Sequence, residues 1–193
     1  HVYDITYGTV KKDTDTLVVI DDSIVRGTTL RESIIRMLSR LKPKRIIVVS
    51  SAPQIRYPDC YGIDMSKMGD FIAFKAAIEL LKESGRENLL DEILNKCKEL
   101  QHNNQLHTEN LVRQVYKPFS LDEISTKIAQ LITPDDIKIP VDVIYQKIET
   151  LHEACPGNKG DWYFTGNYPT PGGNKVCNKA FMNFMEGKNV RGY

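Results

Sequence analysis

Two adjacent acids, Asp21 and Asp22, run straight into a turn made of Ser23, Ile24, Val25, Arg26, Gly27, Thr28 and Thr29. Neighbouring ionised carboxylates accept hydrogen bonds from a vicinal diol and attract a hard, oxygen-seeking cation. Hydroxyls and unpaired backbone N–H groups at a helix start, beside the positive end of the helix dipole, make a cradle for phosphate. Gly27 has no side chain to hold such an anion off. Together these groups suit a sugar phosphate of the ribose 5-phosphate class, with Mg²⁺ bridging diol and pyrophosphate when the sugar is activated. An isolated Asp-Asp pair is more often two solvated acids ahead of a capping turn. The ordered string of hydrophobic run, acid pair, hydroxyl-glycine turn and amphipathic helix argues against that bland reading here.

The elements that must position these residues are legible around them. Leu17, Val18, Val19 and Ile20 form a continuous aliphatic run, which predicts a strand covered on both faces in a parallel sheet. The acids then fall at its carboxyl end, where open α/β sheets bind ligands. A helix is expected from near Leu30, burying Leu30, Ile34, Met37, Leu38 and Leu41 and ending at Lys42 and Pro43. Residues 45–50 read as a second apolar strand, so the strand, helix, strand order implies a parallel crossover. Its exit, through Ala52 and Pro53, should lie on the same sheet edge as Asp21.

Residues 18–29, VVIDDSIVRGTT, resemble the phosphoribosyl pyrophosphate (PRPP) motif of type I phosphoribosyltransferases. Salvage transferases for several bases share versions of it, as do regulators that bind PRPP without catalysis. Two further segments narrow the resemblance: SSAPQIRYPDCYGIDM at 50–65 and YFTGNYP at 163–169 are similar to segments of the amidophosphoribosyltransferase family. The likeness is dense over residues 15–70 and sparse between there and the carboxyl-terminal match.

That family transfers ammonia from glutamine onto C1 of PRPP, releasing pyrophosphate and making 5-phosphoribosylamine, the first committed step of purine synthesis. The resemblance implies that Asp21 and Asp22 hold the ribose hydroxyls, directly or through Mg²⁺, and that Ser23, Val25, Arg26, Gly27, Thr28 and Thr29 wrap the 5-phosphate. It also implies AMP or GMP as inhibitors at the same site, a homo-oligomer, and an amino-terminal glutaminase domain. Tyr61 to Asp64 would lie near the interface with that domain. The chain opens at His1 with a strand-like Val2 to Tyr7, so it is expected to be a carboxyl-terminal fragment of a larger enzyme, inactive alone. The expected fold is α/β, a partial type I phosphoribosyltransferase-like parallel sheet with a mainly helical carboxyl-terminal extension. Residues 1–82 would be the core half and 83–193 the extension. A base-salvage transferase and a non-catalytic PRPP or nucleotide sensor are the alternatives, which upstream sequence would separate.

Composition adds boundaries. With 26 basic and 25 acidic residues the formal charge is +1, so no field steers nucleic acid or an anionic membrane. No apolar run approaches the roughly 20 residues that cross a bilayer, and no secretory signal opens the chain. Cys60, Cys97, Cys155 and Cys177 are scattered, without a C-x-x-C pair, which points to a reducing cytoplasm. Some members of the resembled family hold an iron–sulfur cluster; here Cys60 is one place out of step and the residues before Phe164 lack cysteines, so no cluster is expected.

Downstream, helices are expected around Ile72 to Leu81, around Leu90 to Leu100, and after a Ser120–Glu123 capping box, closing at Thr133-Pro134. QHNNQLHT at 101–108 reads as an exposed loop, with His102 and His107 as solvated surface. Further helices are expected from about Val141 to His152 and from about Lys175 to Met185. Gly172-Gly173 reads as turn chemistry. His152-Glu153 is not a zinc motif, since no second histidine follows. Arg56 and Tyr57 could touch substrate or pin a loop.

Overall fold

The computed structural model describes residues 6, 8–60, 65–157 and 160–192. The expected strand at Val2 to Tyr7 and the Tyr61 to Asp64 segment fall largely or wholly outside the described residues. Among the described residues three parallel strands form one sheet in the order β1 (Thr16–Asp21), β2 (Arg45–Ser50), β3 (Val141–Tyr145). Asp21, Ser50 and Tyr145 share the last cross-strand row. Between β1 and β2 the chain makes a π-helical turn, Leu30–Ile34, that continues as α1 (Ile35–Ser39). The wider turn rotates the expected apolar stripe: Leu30, Ile34 and Ile35 are buried, whereas Met37, Leu38 and Leu41 are only half-buried.

The remaining helices are α2 (Ile72–Glu83), α3 (Asn88–His102), α4 (Arg113–Tyr116), α5 (Leu121–Ile132), α6 (Ile148–Ala154), α7 (Trp162–Thr165) and α8 (Pro171–Met185). The stripes read from sequence place α2, α3 and α5 correctly. Ser120 caps α5 with the expected box: its hydroxyl accepts from the Glu123 N–H at 3.2 Å, and the Glu123 carboxylate accepts from the Ser120 N–H at 2.7 Å. Ser120→Ala is therefore expected to lower unfolding stability by about 1 kcal/mol, read as a lower urea midpoint at unchanged slope.

Three expectations need correction. The segment expected to be helical from Val141 opens as strand β3, because its β-branched residues find the open edge of β2; helix resumes only at Ile148. Gly172 and Gly173 lie inside the first turn of α8, which Pro171 starts two positions after Pro169; Gly173 is the residue that fits there, since a Cβ would sit 2.4 Å from the Tyr168 ring. Within 101–108 the helix α3 extends to His102, and Leu106 is buried rather than exposed.

The sheet faces differ. One face is buried through Ile46, Val48 and Val143, beneath a core to which α2 and α5 contribute. On the other, Val18 is 59% exposed, Ile20 75% and Ile144 52%. The expectation that β1 is covered on both faces is thus not met among the described residues, whose π-helical turn, α2 and α5 pack together on the same side. β3 comes from the expected extension yet completes the sheet.

Candidate functional site

Asp21 ends β1 at the carboxyl edge of the sheet, and Asp22 follows it out of the strand. The Asp21 Oδ1 accepts from the Asp22 N–H at 3.0 Å and the Asp22 Oδ1 from the Ser23 N–H at 2.8 Å. One oxygen of each carboxylate is engaged by backbone, and the two side chains lie close enough to interact with each other. Partial burial pushes the Asp21 carboxyl above its usual range, and the neighbouring Asp22 carboxyl pushes the same way against the Asp22 N–H. Two acids in this arrangement gain from a cation or from diol donors placed between them.

The exit of β2 locks this corner from the side. Backbone N–H groups of Ser51 and Ala52 donate to the carbonyls of Asp21 and Asp22 at 2.9 and 3.0 Å, and the Ser51 hydroxyl donates to the Asp21 carbonyl at 2.8 Å. The β2 exit therefore sits where the crossover expectation put it. Ser51 is a site-shaping residue that sequence reasoning passed over; its position just past the second strand was the available signal.

Asp21, Ser23, Val25, Arg26, Gly27, Thr28 and Thr29, with Ile24 and Leu30, line one shallow hollow of about 230 Å³. Among the described residues the backbone N–H groups of Gly27, Thr28 and Thr29 have no acceptor, whereas the Arg31 N–H already closes onto the Gly27 carbonyl at 3.0 Å. These are free donors at a helix start, the arrangement that binds anions. Larger hollows of about 480 and 620 Å³ lie between α5 and β3 and between the end of α3 and α8, away from the acid pair. Chemistry rather than volume selects the site.

Two side chains depart from a simple cradle. Arg26 turns away to Asp70, its Nε and Nη2 donating to Oδ2 at 3.3 and 3.2 Å. Gly27 adopts φ +72°, and a Cβ there would stand 2.8 Å from the Ile132 Cγ2. Its missing side chain makes room for Ile132 and Ile72 behind the turn, a steric demand that short-range sequence does not show. Arg56 is pinned structurally: its Nε and Nη2 donate to the Gln54 Oε1 at 3.0 and 2.7 Å, and its guanidinium lies over the Tyr116 ring. His152 pairs with Asp161 at 3.2 Å.

Among the described residues no three His, Cys, Asp or Glu side chains come together as a metal-binding group. Cys97 and Cys177 bury their thiols, with desolvation pushing Cys97 up to about 12 and Cys177 further in the same direction; Cys155 is exposed. Among the described residues no helix is long and apolar enough to cross a membrane.

A three-stranded parallel sheet with helices, paired acids at a strand end and an open turn behind them is consistent with a partial type I phosphoribosyltransferase-like α/β fold. No family model matches the chain. It is, however, similar to curated amidophosphoribosyltransferases. It is 45% identical over 80 residues to that of Pasteurella multocida, covering 41% of this chain and 16% of the relative. To that of Haemophilus influenzae it is 46% identical over 72 residues, 37% of this chain and 14% of the relative. To that of Schizosaccharomyces pombe it is 36% identical over 87 residues, 42% of this chain and 16% of the relative. The matched stretch thus spans only 14–16% of these relatives' lengths.

Proposed function

We propose that this chain supplies the ribose- and 5-phosphate-binding part of an amidophosphoribosyltransferase, a pentosyltransferase that moves glutamine-derived ammonia onto C1 of PRPP. The products are 5-phosphoribosylamine, pyrophosphate and glutamate, in purine biosynthesis. One observation carries this reading: the free N–H groups of Gly27, Thr28 and Thr29 open beside Asp21 and Asp22 at one strand end. The names of the relatives support it.

In this proposal ammonia displaces pyrophosphate at the anomeric carbon while positive charge develops on the ribose ring. The chain contributes position and electrostatics rather than a covalent nucleophile. Asp21 and Asp22 hold the 2- and 3-hydroxyls, and their carboxylates fit Mg²⁺, which prefers one or two carboxylates plus substrate oxygens and water. Bound there, Mg²⁺ would neutralise charge on the diol and pyrophosphate side. Ser23, Val25, Gly27, Thr28 and Thr29 hold the 5-phosphate through backbone and hydroxyl donors, whereas the side chain of Arg26 braces the turn through Asp70. AMP or GMP would occupy the same cradle as inhibitors.

Residues 1–82 would form the carboxyl-terminal half of the transferase core and 83–193 a helical extension that returns β3 to the sheet. The bare face at Val18, Ile20 and Ile144 offers apolar surface for further polypeptide to cover. In this proposal the enzyme also carries a glutaminase domain and the rest of the transferase, and works in the cytoplasm as a homo-oligomer. Titration of AMP into the ¹⁵N-labelled chain tests the cradle. Amide signals of residues 23–29 are expected to move with AMP and to stay put with adenosine, which lacks the phosphate. Equal responses to both would overturn the assignment.

This reading carries no iron–sulfur cluster, which needs about four thiolates at one place, whereas Cys155 is exposed and Cys177 lies buried in the core. Protein purified without oxygen is expected to lack iron and acid-labile sulfide. Stoichiometric amounts of both would recast Cys60, Cys155 and Cys177 as ligands.

A further inference from the structure

The phosphate turn is held from behind by residues far along the chain. The Ile72 N–H, at the start of α2, donates to the Val25 carbonyl at 2.7 Å. The second support is the carboxyl end of α5. Arg31, one turn beyond Gly27, sends its Nη1 to the carbonyls of Leu131 at 2.6 Å and Thr133 at 3.2 Å, 100 and 102 residues downstream. Ile132, 1% exposed, lies against the side of Gly27 where a Cβ would point.

Electrostatics explains why this contact is one-sided. A helix end leaves carbonyls unpaired and carries partial negative charge, which a cation relieves. The last turn of α5 has no basic residue of its own, so the cation comes from another element. Asp135 and Asp136, in the segment after α5, draw the same helix further: Asp136 Oδ2 lies 2.8 Å from Arg36 Nη1, and Asp135 Oδ2 lies 4.0 Å from Arg31 Nη2. The Arg31 guanidinium is spent on carbonyl oxygens, so any effect it has on an anion in front of the turn passes through the backbone.

We propose that Arg31 and Ile132 are positioning residues for the anion-binding turn, with the carboxyl end of α5 setting the backbone at Gly27 and thereby the aim of the N–H groups of Gly27, Thr28 and Thr29. This rests on the reading of residues 23–29 as a 5-phosphate cradle. The Gly27 peptide is fixed on two sides, its carbonyl by the Arg31 N–H and its Cα by Ile132. Only the second of these comes from α5, so loosening α5 removes the packing against the Gly27 Cα and the anchor of the Arg31 side chain while the backbone bond remains. Preorganised donors bind an anion without first losing conformational freedom, so a loosened turn binds more weakly even though no direct contact is removed.

The experiment compares Arg31→Ala and Arg31→Lys with the unaltered chain, by amide hydrogen exchange and by AMP titration. In Arg31→Ala, exchange of the hydrogen-bonded amides that hold the turn, those of residues 31, 35 and 72, is expected to accelerate about tenfold while amides of β2, such as those of Ile46 and Val48, keep their rates. AMP affinity should fall about tenfold, the scale of losing hydrogen bonds from a charged donor. Lysine keeps a cationic donor for the same carbonyls and should recover part of both effects. Equal acceleration in the turn and in β2 would reveal a global loss of stability and overturn the proposal, as would unchanged exchange in the turn. If the unaltered chain does not bind AMP at 23–29, the phosphate reading fails. The exchange comparison still decides whether Arg31 sets the turn.

Discussion

Gly27→Val is expected to abolish AMP binding and, in the same variant, to lower the melting temperature of the chain. The first cause is conformational. At φ +72° a β-branched side chain is strained, at a cost of about 1–3 kcal/mol. The second is steric, because the new Cβ would meet the Ile132 Cγ2 at 2.8 Å and the Ile72 Cγ1 at 3.4 Å, and overpacking costs about another 1–3 kcal/mol. Their sum, about 2–6 kcal/mol, is a large share of the 5–15 kcal/mol that holds an ordinary domain together. Thermal unfolding and AMP titration on the same preparation read both effects. A valine variant that melts like the parent would show that Ile132 and Ile72 do not back the turn. Thr29→Ser, at an exposed position that keeps its hydroxyl, should leave both readings near their starting values. Thr28→Val and Thr29→Val, which hold shape but remove a hydroxyl, isolate the side-chain contribution to phosphate binding.

Asp21→Asn and Asp22→Asn should each reduce PRPP-dependent transfer in the longer enzyme by about 10- to 150-fold, the equivalent of the 1.5–3 kcal/mol that a hydrogen bond to a charged group contributes. An asparagine Oδ1 still accepts from the backbone N–H of the next residue, as Asp21 and Asp22 do now, so these local bonds survive the change. What is lost is charge and one acceptor. Glutamine hydrolysis should remain chemically intact, and raised Mg²⁺ should restore part of the transfer rate if the pair serves the cation. Normal transfer by both variants would remove the acids from the site.

Much of the candidate site was legible because its signals are local. The aliphatic run, the acids that follow it and the hydroxyl-glycine turn occupy consecutive positions, and the Ser120–Glu123 box needs only four residues to define itself. The helical stripes of α2 and α3 likewise repeat within the reach of a few turns. Val141 to Tyr145 was not legible in this way. Its spacing with Ile148 and Leu151 also suits a helix, and only the free edge of β2 decides for a strand.

Sequence by itself determined which groups could meet a sugar phosphate and that they follow a strand and open a helix, since bond geometry alone keeps neighbours together. Tertiary structure decided what stands behind them. That Gly27 must be bare on the side of the core depends on Ile132, and where the Arg26 and Arg31 side chains turn depends on Asp70 and on the carbonyls ending α5. Those partners lie tens to about a hundred residues away, and short-range periodicity carries no information about which distant helix end will supply an unpaired carbonyl or which edge strand will accept another.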